Sequence, residues 1–180
     1  MKIKNYIESV GECPDYGVYL ASLSDYNNGR LVGKWYDFEK YDSFDEILKK
    51  FYQYMNKLNK IDGENREEWD IHDVCGFSSG VTIEEMNFLM ECLRLHLDGE
   101  AAKTYLEWSG GKLTVDEFQV RYAGCWDSLE DYAMEYMDST GQLESLPESL
   151  RHYFNYSSFA RDMELNGDVY FENGHLFYCY

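Results

Sequence analysis

YAGCWDSLEDYAMEYMDSTGQLESLPE, residues 122–148, contains seven acidic side chains and no Lys, Arg or His. Apolar residues recur in its middle at the spacing of one helix face, which predicts an amphipathic helix over about residues 127–138. The apolar face comprises Leu129, Tyr132, Ala133, Tyr136 and Met137. The opposite face carries Asp127, Asp131, Glu135 and Asp138. A rise of about 1.5 Å per residue would place a carboxylate every ~5–6 Å along that face.

The distribution of charge along this predicted helix is unfavourable for its own stability. Either Asp127 or Ser128 can serve as the N-cap, and acids in the first turn suit the positive end of the helix dipole. Glu135 and Asp138, however, lie near the C-terminal end, just before the stop signal at Gly141, where the dipole disfavours anions. A merely solvated face is the simpler interpretation, but it does not account for these two acids.

The net charge of the whole chain indicates which kinds of molecule it can bind. The 180 residues carry a formal net charge of −18, with a pI near 4.4. Half of it lies in residues 124–180, at −9, against −5 for residues 1–75 and −4 for residues 76–123. Such a charge argues against direct binding to nucleic acids or anionic membranes, and it favours a basic partner, metal cations or simple solubility. With 44% hydrophobic residues, the chain can still bury cores.

Five cysteines are scattered along the chain without a C-x-x-C motif. They are Cys13, Cys75, Cys92, Cys125 and Cys179. An odd number at wide spacing predicts reduced thiols in a cytosolic protein. The first residues lack the apolar core of a signal peptide, and no apolar run is long enough to span a membrane. We therefore expect a cytoplasmic location.

Hydrophobic patterning predicts an α+β fold arranged in three small domains. Residues 1–75 are expected to form an N-terminal α+β domain, with residues 1–16 as an extension. Residues 76–123 are expected to form a helical middle domain. Residues 124–180 are expected to form an acidic α+β domain.

The predicted N-terminal domain combines an antiparallel sheet with one helix. Strands are expected over Gly17–Ser24 and Arg30–Tyr36, joined as a hairpin by the turn-forming sequence DYNNG, and over Trp69–Val74. A capping box at Ser43-x-x-Glu46 begins a helix that is expected to end near Asn59.

Helices dominate the rest of the prediction. Thr82 and Thr114 each cap the start of a helix, and another is expected over Glu100–Trp108. In the last segment, helices are expected after Pro147 and over residues 156–165. The chain then ends in a hairpin around Asn173-Gly174. Its terminal strand is so aromatic that it needs cover, either from the helices or from another subunit.

Signatures of catalysis and of metal binding are missing from the sequence. There is no Gly-rich phosphate loop and no G-x-S-x-G motif. The four histidines are far apart without ligand spacing, which favours structural or surface roles. A carboxylate hydrolase remains an alternative, but with so many acids any chosen pair would be arbitrary. We expect no enzymatic activity, no cofactor and no metal site.

Two stretches resemble the ArdA-type antirestriction proteins of conjugative plasmids and transposons. They are VYLASLSDYNNGRLVGKWYDF, residues 18–38, and STGQLESLPESLRHYFNYSSFARDMELNGDVYF, residues 139–171. The resemblance implies an elongated mimic of DNA, built from three small domains and dimerising through the last one. It implies that the protein occupies the DNA-binding groove of type I restriction–modification enzymes, on their methyltransferase core, and so protects incoming DNA in the bacterial host cell. It implies no direct binding to nucleic acid.

A DNA mimic presents a distributed charged surface, so the resemblance selects acidic residues as candidates. They are Glu84, Glu85, Glu91, Asp98, Glu100, Glu107, Asp116, Glu117, Asp127, Glu130, Asp131, Glu135, Asp138, Glu144 and Glu148. Duplex DNA presents one phosphate per ~3.4 Å of axis on each strand, and a stripe of carboxylates extended over several helices approximates that array. The alternative is an acidic adaptor or regulator that binds a basic partner without competing with DNA.

Overall fold

A computed structural model describes residues 11–77, 80–110 and 114–179. The chain is mixed α+β, with helices and two small antiparallel sheets, as its sequence predicts. It divides into two compact units, Met1–Lys103 and Thr104–Tyr180, which we call unit 1 and unit 2. The division lies inside the segment that the sequence predicts as a middle domain. The arrangement in three domains stays a prediction.

Unit 1 is built on a three-stranded antiparallel sheet with the strand order β2-β1-β3. Its elements are β1 (Gly17–Ser22), α1 (Leu23–Asn27), β2 (Gly33–Asp37), a 3-10 turn (Phe38–Lys40), α2 (Phe44–Asp62), β3 (Trp69–Cys75), α3 (Ile83–Arg94) and the first part of α4 (Gly99–Ser109). β1 is buried along its whole length because it is the central strand. Val18 pairs with Tyr36 of β2 on one side and with Val74 of β3 on the other.

The connection between β1 and β2 differs from the predicted tight turn. The first three residues of the DYNNG motif lie in the short helix α1, Asn28 is its C-cap, and the second strand begins at Gly33 rather than at residue 30. Ser22 caps α1 by accepting a hydrogen bond from the backbone N–H of Asp25. The Asp25 side chain is almost completely buried, where it pairs with Arg30 and Arg66. The ion pair of Asp25 with Arg66 joins residues 41 positions apart, so the local sequence around the turn does not predict it.

Helix capping in unit 1 follows the sequence closely. Ser43 caps α2, whose apolar face is buried, and Gly63 in the left-handed conformation ends it three residues later than predicted. At the start of α3, Thr82 and Glu85 form the reciprocal capping box. Asp98 accepts hydrogen bonds from two backbone N–H groups at the start of α4.

The prediction of five reduced thiols is wrong for two of them. Cys13 and Cys75 form a disulfide, which ties the segment before β1 to the end of β3. The two residues are 62 positions apart, and only the antiparallel pairing of β1 with β3 brings them together. Cys92, Cys125 and Cys179 are free.

Unit 2 contains the second sheet, with the strand order β4-β6-β5. Its elements are the rest of α4, α5 (Val115–Arg121), β4 (Tyr122–Cys125), α6 (Leu129–Thr140), a 3-10 turn (Gln142–Ser145), α7 (Glu148–Arg151), α8 (Tyr156–Leu165), β5 (Val169–Glu172) and β6 (His175–Tyr178). The hairpin of β5 and β6 is confirmed, and Asn173 and Gly174 both have positive φ, as a type I′ turn requires. β4 was not predicted, because it is short and carries a bulge near Gly124.

The aromatic terminal strand is covered inside unit 2. Successive residues of a strand point to opposite faces, so Phe177 and Leu176 pack on different sides of the sheet. The Phe177 ring contacts aromatic rings of α4, α5 and β4. Leu176 packs in a cluster with Tyr132, Met163 and Val169. Of the two sources of cover that the sequence left open, the structure therefore uses the chain's own helices and strands.

Candidate functional site

Helix α6 begins and ends two residues later than the sequence predicts, at Leu129 and Thr140. Ser128 is the N-cap: its Oγ accepts a hydrogen bond from the backbone N–H of Asp131 at 3.1 Å and donates one to the Asp131 carboxylate at 2.5 Å. Asp127, the other candidate cap, lies outside the helix and is exposed. Gly141 ends the helix in the left-handed conformation, and the last turn contains no basic residue.

Glu135 and Asp138 lie on the exposed side of α6, Asp138 in its last turn and Glu135 near its middle, because the helix extends to Thr140. Tyr132, Ala133 and Met137 are buried on the other side of the helix. Within the described part of the chain, neither carboxylate has a hydrogen-bond or ion-pair partner. Asp138 therefore opposes the helix dipole without compensation, at a cost of a few tenths of a kcal/mol, whereas Glu135 lies outside the last turn to which this effect is confined.

The fifteen candidate acids fall into two groups according to their partners. One group has no carboxylate partner among the described residues, and its members are exposed except for the half-buried Glu130. This group consists of Glu84, Glu107, Asp116, Asp127, Glu130, Glu135, Asp138, Glu144 and Glu148. Most of its members belong to unit 2, and Glu130 to Glu148 lie in or beside α6 and the two short helical segments that follow it.

The carboxylates of the other group form hydrogen bonds or ion pairs within the chain. Glu85 and Asp98 cap helices, and Asp131 bonds to the cap of α6. Ion pairs occupy three more acids: Glu91 with Arg94, Glu100 with Lys103 and Glu117 with Arg121. Glu100 also accepts a hydrogen bond from the Tyr16 hydroxyl at 2.8 Å. The role of all fifteen in binding a partner stays a prediction.

The described basic residues of unit 2, Arg121, Arg151 and Arg161, do little to neutralise its acids. Arg151 donates hydrogen bonds to the backbone carbonyls of Glu144 and Leu146, at 2.9 Å and 3.0 Å, rather than to a carboxylate. Arg121 bonds to the carbonyl of Tyr178 and to one acid, Glu117. Arg161 is exposed. Arg121 and Arg151 thus donate mainly to backbone carbonyl groups. Most of the exposed carboxylates of unit 2 are left without a cationic partner among the described residues.

Four further exposed acids of unit 2 were absent from the predicted set. They are Asp162, Glu164, Asp168 and Glu172. Asp162 and Glu164 lie toward the C-terminus of α8, which also lacks a basic residue in its last turn. Like Asp138, these two acids lie at the helix end where the dipole disfavours anions, a position that is visible in the sequence. α8 packs against α6, so the same unfavourable arrangement occurs on two neighbouring helices.

Other functional signatures are weak in the described ranges. No group of His, Cys, Asp and Glu there is arranged to hold a metal ion. His175 is buried, and its Nδ1 is 3.0 Å from the Tyr122 hydroxyl, which is a structural contact between β6 and β4. Among these residues, no helix is both long enough and apolar enough to cross a membrane.

Comparison with models of known protein families gives a match. The model of the family described as antirestriction protein (ArdA) matches residues 18–177. The matched region begins in β1 and ends in β6, and it therefore includes both sheets and every helix described above. A search among curated proteins finds no match.

Proposed function

This chain belongs to the antirestriction protein (ArdA) family, and from that premise we propose that it acts as a mimic of double-stranded DNA. Antirestriction proteins act against restriction–modification enzymes. In our proposal the target is a type I enzyme, and the protein occupies the DNA-binding groove of its methyltransferase core. Incoming DNA is then excluded from the groove and escapes restriction. The protein inhibits by binding alone, in the cytoplasm of the bacterial host.

The exposed, unpaired carboxylates of unit 2 support this proposal most directly. A DNA-binding groove is lined with Lys and Arg that contact phosphates, and releasing counterions from both surfaces favours association. Asp138 weakens its own helix, and neither Asp138 nor the exposed Glu135 has a cation partner in the described part of the chain. An acidic side chain that lowers stability and has no cationic partner within the chain is expected to bind a cationic group of another molecule.

The spacing along α6 suits a surface that takes the place of phosphates. Asp131, Glu135 and Asp138 follow one another at four and three residues, which corresponds to ~6 Å and ~4.5 Å along the helix axis. Phosphates on one DNA strand follow at ~3.4 Å per step of axis. Long Lys and Arg side chains can adapt to the difference, because phosphate contacts position a protein on DNA without reading its sequence. We therefore propose inhibition of enzymes with different recognition sequences.

We also propose that the protein is a homodimer through its C-terminal domain. The aromatic strand β6 does not support a dimer, since Leu176 and Phe177 are buried within unit 2. Support comes from the family resemblance and from apolar side chains after α6, where Leu150 is 51% exposed and Tyr153 77% exposed. Sedimentation at micromolar concentration should show a dimer, and a purely monomeric species would contradict this part of the proposal.

The decisive experiment is a competition for one methyltransferase core. A fluorescently labelled duplex carrying the enzyme's recognition site is bound to the core, and the protein is then titrated in. We expect complete displacement of the duplex, with an inhibition constant that rises as salt is added. A complex that contains core, duplex and protein together would overturn the mimic and favour an acidic adaptor.

A further inference from the structure

Unit 2 contains an open groove with a volume of about 520 Å³. It lies where α6 and α8 meet the sheet, and it is lined by aromatic side chains of both helices and of β6, together with the loop between α8 and β5. Its size is within the range of ~300–1,000 Å³ that accommodates small ligands or single long side chains. The groove is therefore large enough to receive a group from outside the chain.

The lining of the groove combines aromatic faces with negative charge. Tyr136, Phe159 and Tyr178 are half-buried, so part of each ring remains accessible. Asp162 and Asp168 supply two exposed carboxylates. No Lys, Arg or His is among the lining residues.

The surrounding contacts hold this arrangement in place. The hydroxyl of Tyr132 bonds to that of Tyr178 at 3.3 Å, which links α6 to β6 across the groove floor. Tyr136 and Phe159 stack with ring centroids 6.2 Å apart, which links α6 to α8. The backbone N–H of Asp168 donates to the carbonyl of Met163, and the carbonyl of Asp168 accepts from the N–H of Cys179, each at 3.0 Å. Both backbone groups of the residue that carries this carboxylate are therefore held by hydrogen bonds. The groove is thus built by the core of the unit rather than by mobile side chains.

We propose that this groove binds an arginine side chain of the partner protein. A guanidinium group is planar, stacks on aromatic rings and forms paired hydrogen bonds to carboxylates. Tyr136, Phe159 and Tyr178 offer the rings, and Asp162 and Asp168 offer the carboxylates. A phosphate-like stripe alone attracts any cation, whereas a groove with rings and acids together selects arginine over lysine.

The partner in this inference is the one in our proposed function, and to that extent the inference rests on it. Arginine is abundant on DNA-binding surfaces because it contacts both phosphates and base edges. Asp162 and Asp168 would replace the phosphate, and the rings would replace the stacked bases. An anion suits the groove poorly because both carboxylates repel it, and a purely apolar group would gain nothing from them.

Binding can be tested without any restriction enzyme. The full-length protein, labelled for NMR, is titrated with N-acetyl-arginine methylamide and, separately, with N-acetyl-citrulline methylamide, which has almost the same shape but no charge. We expect saturable shifts at residues that line the groove with the arginine compound only, and weaker binding of the lysine analogue. Equal binding of the citrulline compound, or shifts spread over the acidic surface without a focus at the groove, would overturn the inference.

Matched variants distinguish specific binding in the groove from general electrostatic attraction to the acidic surface. Asp162→Asn with Asp168→Asn should weaken arginine binding by at least about fivefold, because two charge-assisted contacts are lost. Glu164→Gln with Glu172→Gln removes the same charge from exposed positions outside the lining, and it should leave binding within about twofold. Equal losses in both double variants would overturn the inference. So would weaker self-association confined to the first double variant, because a second copy would then occupy the groove.

The same two double variants distinguish this inference from the proposed function. In the competition against labelled duplex, the Asp162/Asp168 variant should inhibit less well than the Glu164/Glu172 variant. If the wild-type protein displaces DNA but the arginine compound does not bind the groove, only the inference fails. If the arginine compound binds but the protein does not displace DNA, the proposed function fails and the arginine-binding groove stands.

Discussion

The guanidinium of Arg66 pairs with the carboxylate of Asp25, with Nε and Oδ2 at 2.5 Å and both side chains 1% exposed. Asp25 belongs to α1, and Arg66 to the loop before β3. Arg66 also bonds to Asp62 at the end of α2, at 2.7 Å. One buried cation thus connects the β1–β2 connection, the end of α2 and the entry to β3, and it determines the local structure of a segment that resembles a simple turn in sequence.

Replacing Asp25 with Asn should strongly destabilise unit 1. The change leaves the buried Arg66 with one charged partner fewer, and breaking a buried ion pair costs about 3–5 kcal/mol. Chemical denaturation followed by circular dichroism measures the free energy of unfolding. The control is Asp42→Asn, the same chemical change at an exposed position, for which we expect a change below about 0.5 kcal/mol. Similar losses in the two variants would show that the buried pair contributes nothing special.

Asp62 should make the stability of the fold depend on pH in the acid range. The hydrogen bond from Arg66 lowers the pKa of this carboxyl below its ordinary value. A group with a lower pKa in the folded chain stabilises the fold above its unfolded pKa of about 4, and that contribution disappears as the pH falls through the folded value. The difference in unfolding free energy between wild type and Asp62→Asn should therefore be largest near neutral pH and shrink below about pH 4. A difference that stays constant down to pH 2 would contradict this assignment.

Neutralising a cluster of acids should weaken inhibition, although single changes should not. Exposed ion pairs contribute about 0.2–1 kcal/mol each, so the triple variant Glu135→Gln, Asp138→Asn and Glu148→Gln should inhibit about tenfold less well, and each single variant should stay within about threefold. The control triple Asp42→Asn, Asp70→Asn and Asp73→Asn removes the same charge from exposed sites outside the candidate set. Inhibition constants from DNA competition measure both. Abolition by Glu135→Gln alone would favour a localised adaptor site.

Cysteine alkylation should separate the five residues into four classes. Cys125 is exposed and should react with iodoacetamide in the native protein. Burial raises the pKa of the Cys92 thiol to about 12, so it should stay protonated and react only after unfolding. Burial also raises the pKa of Cys179, which should react more slowly than Cys125. Cys13 and Cys75 should react only after reduction, as measured by mass spectrometry of the peptides. Their alkylation without a reductant would contradict the disulfide.

Local signals in the sequence predicted most of the helices and their caps. Ser43, Thr82 and Thr114 begin helices as expected, and the Asn173-Gly174 turn closes the expected hairpin. These features depend on residues a few positions apart, for which capping and turn chemistry are sufficient. The same reasoning identified Glu135 and Asp138 as acids at the unfavourable end of a helix; both are exposed, but only Asp138 lies in the last turn, because the helix continues to Thr140. Their role in binding stays a prediction.

The sequence by itself determined the α+β class, the family and the sign and concentration of the charge, because composition, periodicity and short motifs carry that information. Only the tertiary structure decided which acids remain without partners, since Arg121, Arg151 and Arg66 find their bonds through folding. It also decided that β4 joins β6, that Cys13 meets Cys75 and that Asp162 and Asp168 line one groove with aromatic rings. Each of these contacts joins positions that are distant in the chain or lie on separate elements, and no pattern within a single element specifies such a pairing.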